Sequence, residues 1–334
     1  MDLLVLGGTA WLGHQIASEA AQRGHTVTCL ARGQSGPCPP ETRFIAAYRD
    51  RDDAYDEVTG QQWDAVIDVA RQPGQVRNAV RALEPVSSRY LFVSSANVYA
   101  SQRERGQDED AAVLPALVAD VMDSMQDYGA AKVACEQAVV AAFGPSRSLI
   151  ARAGLIGGPG DESGRSGYWP WRFAHPCNPV GAVLLPDDPD VPTALIDVRD
   201  LAGWLVSCAE TGVAGIFNAA GAPCSLTDHL AVAREVAGHD GPVTNAWPDW
   251  LTEHGVQMWM GPSSLPLWID DPDWYGLADH ASARAFAVGL VTRPLRETLL
   301  DVLAWEDARP EPGLHGAGLA DDEEHELLRQ LGLH

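Results

Sequence analysis

Three side chains in the first half of the sequence are of the types that a proton-transfer site uses. Tyr128 and Lys132 are four residues apart in a stretch of helical composition, so a helix would place both on one face. A phenol titrates at about pH 10 in water, and a fixed ammonium beside it would favour the phenolate that acid–base chemistry needs near neutrality. Ser95 follows an apolar run and could donate a hydrogen bond to a substrate oxygen. These residues predict hydride transfer at a carbonyl or alcohol carbon, with Lys132 also able to hold the nicotinamide ribose.

A glycine turn at the start of the sequence could hold the cofactor for that transfer. The apolar residues 3–6 predict a buried strand, and apolar residues recur at helical spacing from 12 to 22. Between the strand and the helix, Gly7, Ala10 and Gly13 have the spacing of a dinucleotide-binding turn, although Ala10 replaces the middle glycine. Backbone N–H groups at the helix start would face the phosphates. The predicted contacts of this turn are Gly7, Thr9, Ala10, Trp11, Leu12 and Gly13.

Residues after the later strands predict the remaining cofactor contacts. Arg32 lies about 20 residues past the turn, where an NAD site usually carries an acid and an NADP site carries a basic residue. We therefore expect NADP rather than NAD, with an ordinary solvated arginine as the alternative. Asp50 and Arg51, at the end of the third strand, could reach the adenine or could simply belong to a charged loop. Val69 and Ala70 end the fourth.

Strands alternate with helices through the first half of the sequence, which predicts an α/β fold. We expect a Rossmann-type doubly wound parallel sheet with a smaller C-terminal substrate-binding lobe. The strands predicted in the first half are residues 3–6, 25–30, 43–47, 63–70 and 90–93. The predicted domains are a dinucleotide-binding domain (1–160, with 194–221 returning to it), the substrate-binding lobe (161–193 and 222–310) and an acidic tail (311–334).

The charge and composition restrict the partners. Lys and Arg total 23 and Asp and Glu total 46, so the formal net charge is −23, which disfavours nucleic acid and anionic membranes. A small-molecule substrate is the expected partner. The sequence has no Cys or His cluster at zinc spacing, so no metal site is expected. Because no apolar run approaches membrane-spanning length and no signal peptide precedes the first strand, a cytoplasmic protein is expected.

Aromatic residues in the second half are candidates for a substrate pocket. Trp169, Trp259 and Trp268 could form apolar walls, and the last two lie in a stretch rich in Pro and Gly. The alternative is that most tryptophans build the core of the lobe. Asn97, two residues after Ser95, is a further candidate for a substrate contact.

Five motifs give the sequence a resemblance to the extended short-chain dehydrogenase/reductase superfamily, in its NAD(P)-dependent epimerase/dehydratase group, as a reductase-like member with a GGTxxLG turn. The motifs are GGTAWLG (7–13), VSSANVY (93–99), YGAAK (128–132), RAGLIGGPG (152–160) and IDVRDLA (196–202). The resemblance implies that Ser95 polarises the substrate oxygen, that Tyr128 is the acid or base and that Lys132 modulates it. It also implies that Ala153 and Leu155 lie near the nicotinamide, and the fold by analogy suggests a homodimer.

Two departures from the family pattern narrow the expected reaction. Ala96 follows Ser95 without the Asp–Glu pair of sugar-nucleotide dehydratases, which argues against elimination. Leu155 stands where nucleotide-sugar enzymes usually have Asn, which argues against such a substrate. We therefore expect an NADP(H)-dependent oxidoreductase, a ketone or aldehyde reductase or an alcohol dehydrogenase, acting on a small hydrophobic metabolite. The alternatives are an NAD-dependent sugar epimerase of the same family and a non-catalytic dinucleotide-binding sensor or scaffold.

Overall fold

The computed structural model describes residues 1–332, and the chain divides into two compact units. The first unit comprises residues 1–154, 198–220 and 280–291. The second comprises residues 155–197, 221–279 and the chain from Thr292 onward. The N-terminal segment of the first unit thus ends at residue 154, six residues before the predicted boundary at 160. The first unit also includes residues 280–291, which the sequence predicts in the substrate-binding lobe.

The strands are short and are numbered in chain order. They are β1 Asp2–Leu6, β2 Thr26–Ala31, β3 Arg43–Ala46, β4 Ala65–Asp68, β5 Tyr90–Ser95, β6 Ser148–Ala153, β7 Leu155–Gly157, β8 Val183–Pro186, β9 Pro192–Thr193, β10 Leu195–Asp197, β11 Gly215–Ala219, β12 Cys224–Ser225, β13 Val243–Ala246, β14 Gln257–Trp259 and β15 Ser264–Pro266. The first unit holds a seven-stranded sheet in the order β11-β6-β5-β4-β1-β2-β3. All of its neighbouring strands run parallel, which confirms the Rossmann-type fold.

Helices connect the strands. They are α1 Trp11–Gln22, α2 Pro73–Leu83, α3 Tyr128–Phe143, α4 Tyr168–Ala174, α5 Val198–Thr211, α6 Leu226–Ala237, α7 Pro248–Glu253, α8 Ala283–Ala287, α9 Leu295–Asp307 and α10 Asp321–Gln330. Short 3-10 turns occupy Glu84–Val86, Ala96–Val98, Met125–Asp127 and Pro272–Ala278. Within residues 1–332, no helix combines the length and the apolar character needed to cross a membrane.

The central strands are buried on both faces, as a parallel sheet requires. Every residue of β4, β5 and β6 is buried. This explains why mainly apolar runs predicted the first five strands, with ends that differ by at most two residues. Polar residues are buried within these strands as well, and each needs a partner inside the unit.

The second unit has small sheets around its own apolar core. Strands pair as β10 with β7, β9 with β12, β8 with β13 and β14 with β15. Its core contains Trp169, Phe173, Leu184 and Trp268. Large aromatic side chains thus contribute much of the apolar core in a unit whose sheets have only two strands each.

The segment predicted as an acidic tail (311–334) contains a packed helix, α10. Glu324 in α10 is fully buried, and its carboxylate lies 2.7 Å from the guanidinium of Arg172. The other carboxylate oxygen accepts a hydrogen bond from the Leu184 N–H at 2.8 Å. Leu327 and Leu328 belong to the core of the second unit. A buried ion pair and one hydrogen bond from the main chain therefore hold a helix that composition alone marks as solvent-exposed.

We expect Leu328→Ala to lower the free energy of unfolding by about 2–5 kcal/mol, because the leucine is 1% exposed and its loss leaves a cavity. His325→Ala on the exposed face of α10 is the matched control, with an expected change within about 0.5 kcal/mol. Urea unfolding of both variants measures the difference. Equal stability of Leu328→Ala and the wild type would show that α10 is not packed in solution.

Candidate active site

In the turn between β1 and α1, neighbouring atoms come so close to two residues that only glycine fits at these positions. Gly7 has a φ of +94°, in the left-handed region, and a Cβ there would lie 2.7 Å from Val69 Cγ2. A Cβ at Gly13 would lie 2.2 Å from the carbonyl oxygen of Gly7. The two glycines therefore allow α1 to pack directly on the turn, as a dinucleotide-binding turn needs.

The start of α1 has no side-chain cap. Ala10 is the N-cap residue with an extended backbone, and the first turn contains no acidic side chain. Such a helix start offers N–H groups and the positive end of the helix dipole to an anion. Thr9 is buried in the turn, whereas Trp11 and Leu12 are half-buried. The residues present thus fit the pyrophosphate of a dinucleotide.

The three charged residues predicted near the adenosine lie after β2 and β3. Arg32 follows β2 directly and is exposed. Asp50 accepts a hydrogen bond from Gln75 Nε2 at 3.1 Å, and Arg51 forms an exposed ion pair with Asp53 at 3.0 Å. Asp50 and Arg51 thus bind other side chains of the same protein. Contacts of Arg32, Asp50 and Arg51 with a cofactor stay predictions.

The ends of β1, β4, β5 and β6 lie at one edge of the sheet, because these neighbouring strands are parallel. Val69 and Ala70 follow β4 at this edge. Ser95 is the last residue of β5 and pairs with Ala153, the last residue of β6. The prediction that the fifth strand ends at Val93, before Ser95, was wrong, because pairing with β6 continues β5 by two residues. Leu155 begins β7 in the second unit, and its nicotinamide contact stays a prediction.

The Ser95 hydroxyl is engaged with the turn that follows it. Ser95 Oγ donates to Asn97 Oδ1 at 3.0 Å and accepts from the Asn97 N–H at 3.2 Å. A hydroxyl has a single O–H to donate. Ser95 can therefore donate to a substrate oxygen only when that oxygen replaces Asn97 Oδ1 as the acceptor.

A close backbone approach places the start of α3 against this same turn. A Cβ on Gly129 would lie 2.2 Å from the carbonyl oxygen of Asn97. A capping box precedes the helix. In it, the Asp127 carboxylate accepts a hydrogen bond from the Ser124 N–H, and the Ser124 hydroxyl accepts one from the Gln126 N–H. Tyr128, the first residue of α3, is thereby held next to the end of β5 and remains half-buried.

Lys132 is buried one turn further along α3, and its ammonium is fixed by main-chain oxygens. Nζ donates to Ala70 O at 2.6 Å and to Val93 O at 2.7 Å. The same atom lies 4.6 Å from the centre of the Phe92 ring and 6.0 Å from that of Tyr128. An ammonium has three N–H donors, so one remains for a further acceptor. Lys132 is also the only lysine in the sequence.

The predicted catalytic residues thus belong to one region of the first unit. Lys132 binds β5 two residues before Ser95, and Tyr128 precedes the glycine that contacts the turn after Ser95. This arrangement offers a phenol, a fixed positive charge and a serine hydroxyl at the sheet edge that also carries the glycine turn. Its chemistry is proton exchange with a substrate alcohol or ketone oxygen.

The sequence does not predict two features of this region. Asp68 is a carboxylate inside a buried strand, and it pairs with Arg49, 19 residues earlier. A charge in an apolar run was the available signal, because a buried charge requires a partner. The packing role of Gly129 had no local signal, since it depends on where the Asn97 carbonyl lies in space.

The tryptophans proposed as pocket walls belong mainly to the core of the second unit. Trp169 and Trp268 are fully buried, and Trp169 Nε1 donates to Pro266 O at 2.7 Å. A side chain without exposed surface cannot line an open pocket, so the structure favours the core reading for these two residues. Trp259 is half-buried with the Arg165 guanidinium 5.3 Å from its ring, and its substrate role stays a prediction.

Solved structures of similar proteins share the fold along almost the whole chain. A proposed epimerase from Burkholderia cenocepacia J2315 has 24% sequence identity and a TM-score of 0.68, with 92% of this chain and 98% of that chain covered. The UDP-glucose 4-epimerase of Bifidobacterium longum, solved with NAD+ and UDP, has 17% identity and a TM-score of 0.63, with 94% and 100% covered. The NDP-hexosamine 5,6-dehydratase TunA has 16% identity and a TM-score of 0.65, with 97% and 100% covered. At these identities the likeness shows the fold.

The family itself is shown by the sequence. Residues 3–220 match the model of the NAD dependent epimerase/dehydratase family, whereas no curated protein matches the chain. The matched segment contains the glycine turn, Ser95, Tyr128 and Lys132, and it confirms the resemblance drawn from the motifs. The chain is thus an enzyme of the extended short-chain dehydrogenase/reductase type that uses a nicotinamide dinucleotide, and it belongs to the NAD dependent epimerase/dehydratase family.

Proposed function

We propose that the chain is an NAD-dependent epimerase, which oxidises a secondary alcohol of a small sugar-type substrate to the ketone and reduces that ketone on its opposite face. The family match supports this reaction class better than the NADP-dependent reductase expected from the sequence. The observation that carries the proposal is the buried Lys132 ammonium, held by two carbonyls and lying 6.0 Å from the ring of Tyr128.

Tyr128 moves the proton in both halves of the reaction. As phenolate it accepts the proton of the substrate hydroxyl, and as phenol it returns that proton to the ketone oxygen. The positive charge of Lys132 stabilises the phenolate, because an opposite charge nearby favours the ionised form. A bound nicotinamide dinucleotide supplies the hydride acceptor and donor.

Ser95 and Lys132 orient the reacting groups. Ser95 donates its O–H to the substrate oxygen once that oxygen displaces Asn97 Oδ1, and this bond strengthens as charge develops. The third N–H of Lys132 is available for a ribose hydroxyl of the dinucleotide. Since the other two N–H groups already bind main-chain carbonyls, the ammonium is held in place before the reaction begins.

The residues after Ser95 support epimerisation over elimination. Ala96 and Asn97 carry no ionisable group, so this turn offers no acid to expel a leaving group. Leu155, which stands in the place of a nucleotide-sugar contact, favours a sugar-type substrate without a nucleotide.

An NADP(H)-dependent reductase is the second candidate, and Arg32 is the observation that favours it. Arg32 follows β2 and is exposed, at the position where a basic side chain accommodates a 2′-phosphate. The reductase would use the same proton chemistry in one direction only, on a small hydrophobic ketone or aldehyde.

We expect Tyr128→Phe to lower the turnover number by about 10²–10⁴-fold, because the variant lacks the proton that general acid–base catalysis requires. Reduction of bound dinucleotide and product formation are followed with a panel of free sugars, nucleoside diphosphate sugars and simple ketones. Tyr48→Phe, at an exposed tyrosine, is the control and should retain full activity. Equal rates for wild type and Tyr128→Phe would exclude the acid–base role, and bound cofactor without any hydride exchange would favour the sensor alternative.

The cofactor separates the epimerase from the reductase. For the epimerase, we expect NAD to co-purify and Arg32→Ala to leave NAD affinity within about twofold, since one exposed arginine adds no contact to a ribose that lacks phosphate. Calorimetric titration with NAD and NADP, with Arg43→Ala at another exposed arginine as the control, measures this. Tight NADP binding that weakens about tenfold or more in Arg32→Ala would support the reductase and contradict the epimerase.

Gly129→Ala should lower the turnover number about tenfold or more. The new Cβ would lie 2.2 Å from Asn97 O, so the start of α3 must move and carry Tyr128 away from Ser95. Gly60→Ala is the matched control, because nothing lies within 4 Å of its Cβ position. Unchanged kinetics in Gly129→Ala would show that the approach of α3 to the turn is not needed for catalysis.

A further inference from the structure

The ammonium of Lys132 depends on a carbonyl that lies outside the regular sheet. Val93 is in the interior of β5, where its pairing with Ala151 of β6 fixes its position in the sheet. Ala70 lies two residues beyond the end of β4, so no ladder pairing holds it. Its N–H donates to Asp68 Oδ1 at 2.9 Å, while its carbonyl accepts from Lys132 Nζ at 2.6 Å. One peptide segment thus connects a buried carboxylate to the ammonium of the site.

Asp68 is held in place by four donors. Arg49 binds it with both terminal nitrogens, each at 2.7 Å, and the Tyr90 hydroxyl donates at 2.6 Å. The fourth donor is the Ala70 N–H. Burial disfavours the charged carboxylate, but the Arg49 guanidinium together with the hydrogen bonds from Tyr90 and Ala70 keeps the pKa of Asp68 below its usual range. The carboxylate is therefore ionised and fully satisfied in a dry environment.

Arg49 is fixed in turn by the same unit. Its Nε donates to the Tyr55 hydroxyl at 2.8 Å, and one terminal nitrogen also donates to Gln75 O at 3.3 Å. The side chain of Arg49 is 7% exposed and that of Asp68 is fully buried. A planar pair joined by two hydrogen bonds has one low-energy arrangement, so the Asp68 carboxylate has a fixed position. The hydrogen bond from the Ala70 N–H to this carboxylate then holds Ala70 in place.

We propose that the Arg49–Asp68 pair is a positioning device for Lys132, which acts by holding the Ala70 carbonyl at the ammonium. Neither residue touches a substrate or cofactor; both act through Ala70. The importance of this device for catalysis rests on the proposed function, in which Lys132 stabilises the Tyr128 phenolate. The positioning itself is a property of the protein alone.

The test uses the single lysine of the sequence. In protein labelled with ¹⁵N at the lysine side chain, the NH3+ resonance of Lys132 needs no assignment. We expect a slowly exchanging NH3+ signal in the full-length wild type. In Asp68→Asn, exchange with water should accelerate about fivefold or more, the factor that corresponds to one ordinary hydrogen bond. With cofactor and substrate present, the pH profile of the turnover number should also shift.

Two further variants separate positioning from lost stability. Glu324→Gln breaks an equally buried ion pair, with Arg172 in the second unit, and should leave NH3+ exchange and the pH profile unchanged. Arg49→Lys keeps the charge but loses the two-point geometry, and should change both readouts in the same direction as Asp68→Asn, by a smaller factor. Arg49→Lys also decides the question if Asp68→Asn fails to fold.

Unchanged exchange in folded Asp68→Asn and Arg49→Lys would overturn the proposal, as would equal acceleration in Glu324→Gln. The result is independent of the enzymatic assignment. If Tyr128→Phe keeps full activity while Asp68→Asn accelerates exchange, the proposed function fails and the positioning stands.

Discussion

The parallel direction of seven strands is the constraint on which the site depends. Each strand ends at the same edge, so residues far apart in sequence meet there without any long loop having to fold over them. The glycine turn after β1, the Ala70 carbonyl after β4 and Ser95 at the end of β5 share this edge. The helix α3 then adds Tyr128 and Lys132, because its start packs on the turn behind Ser95. Once the sheet has brought the strand ends together, the side chain at each end determines the chemistry of the site.

Much of this arrangement could be predicted from the sequence, because its causes are local. Mainly apolar runs marked the first five strands, and the glycine spacing marked the turn. Helical spacing placed Tyr128 and Lys132 on one face, and α3 does begin at Tyr128. The start of α6 has a local cause of the same kind, because the Ser225 hydroxyl accepts a hydrogen bond from the Asp228 N–H at 3.0 Å.

What escaped prediction depends on partners distant in sequence. The length of β5 is set by β6, which begins more than 50 residues later, so Ser95 was placed outside its strand. The packing of α10 is hidden within the acidic tail, because its four leading acids mask the burial of Glu324, and Arg172 lies about 150 residues away. The same applies to Trp169 and Trp268, since aromatic residues in an irregular stretch can face a pocket or a core, and only packing decides.

The solitary lysine has a consequence for the chemical reactivity of the chain. Every other residue in the total of 23 Lys and Arg is an arginine, and the one side-chain amine is 3% exposed between two strands. Acylating agents in solution, such as activated esters or acyl phosphates, therefore meet no accessible side-chain amine on the folded first unit. Acylation of the lysine requires local opening, and the same event removes the charge that the site uses. Loss of activity and covalent labelling would thus proceed together, and both would depend on local opening of the sheet edge.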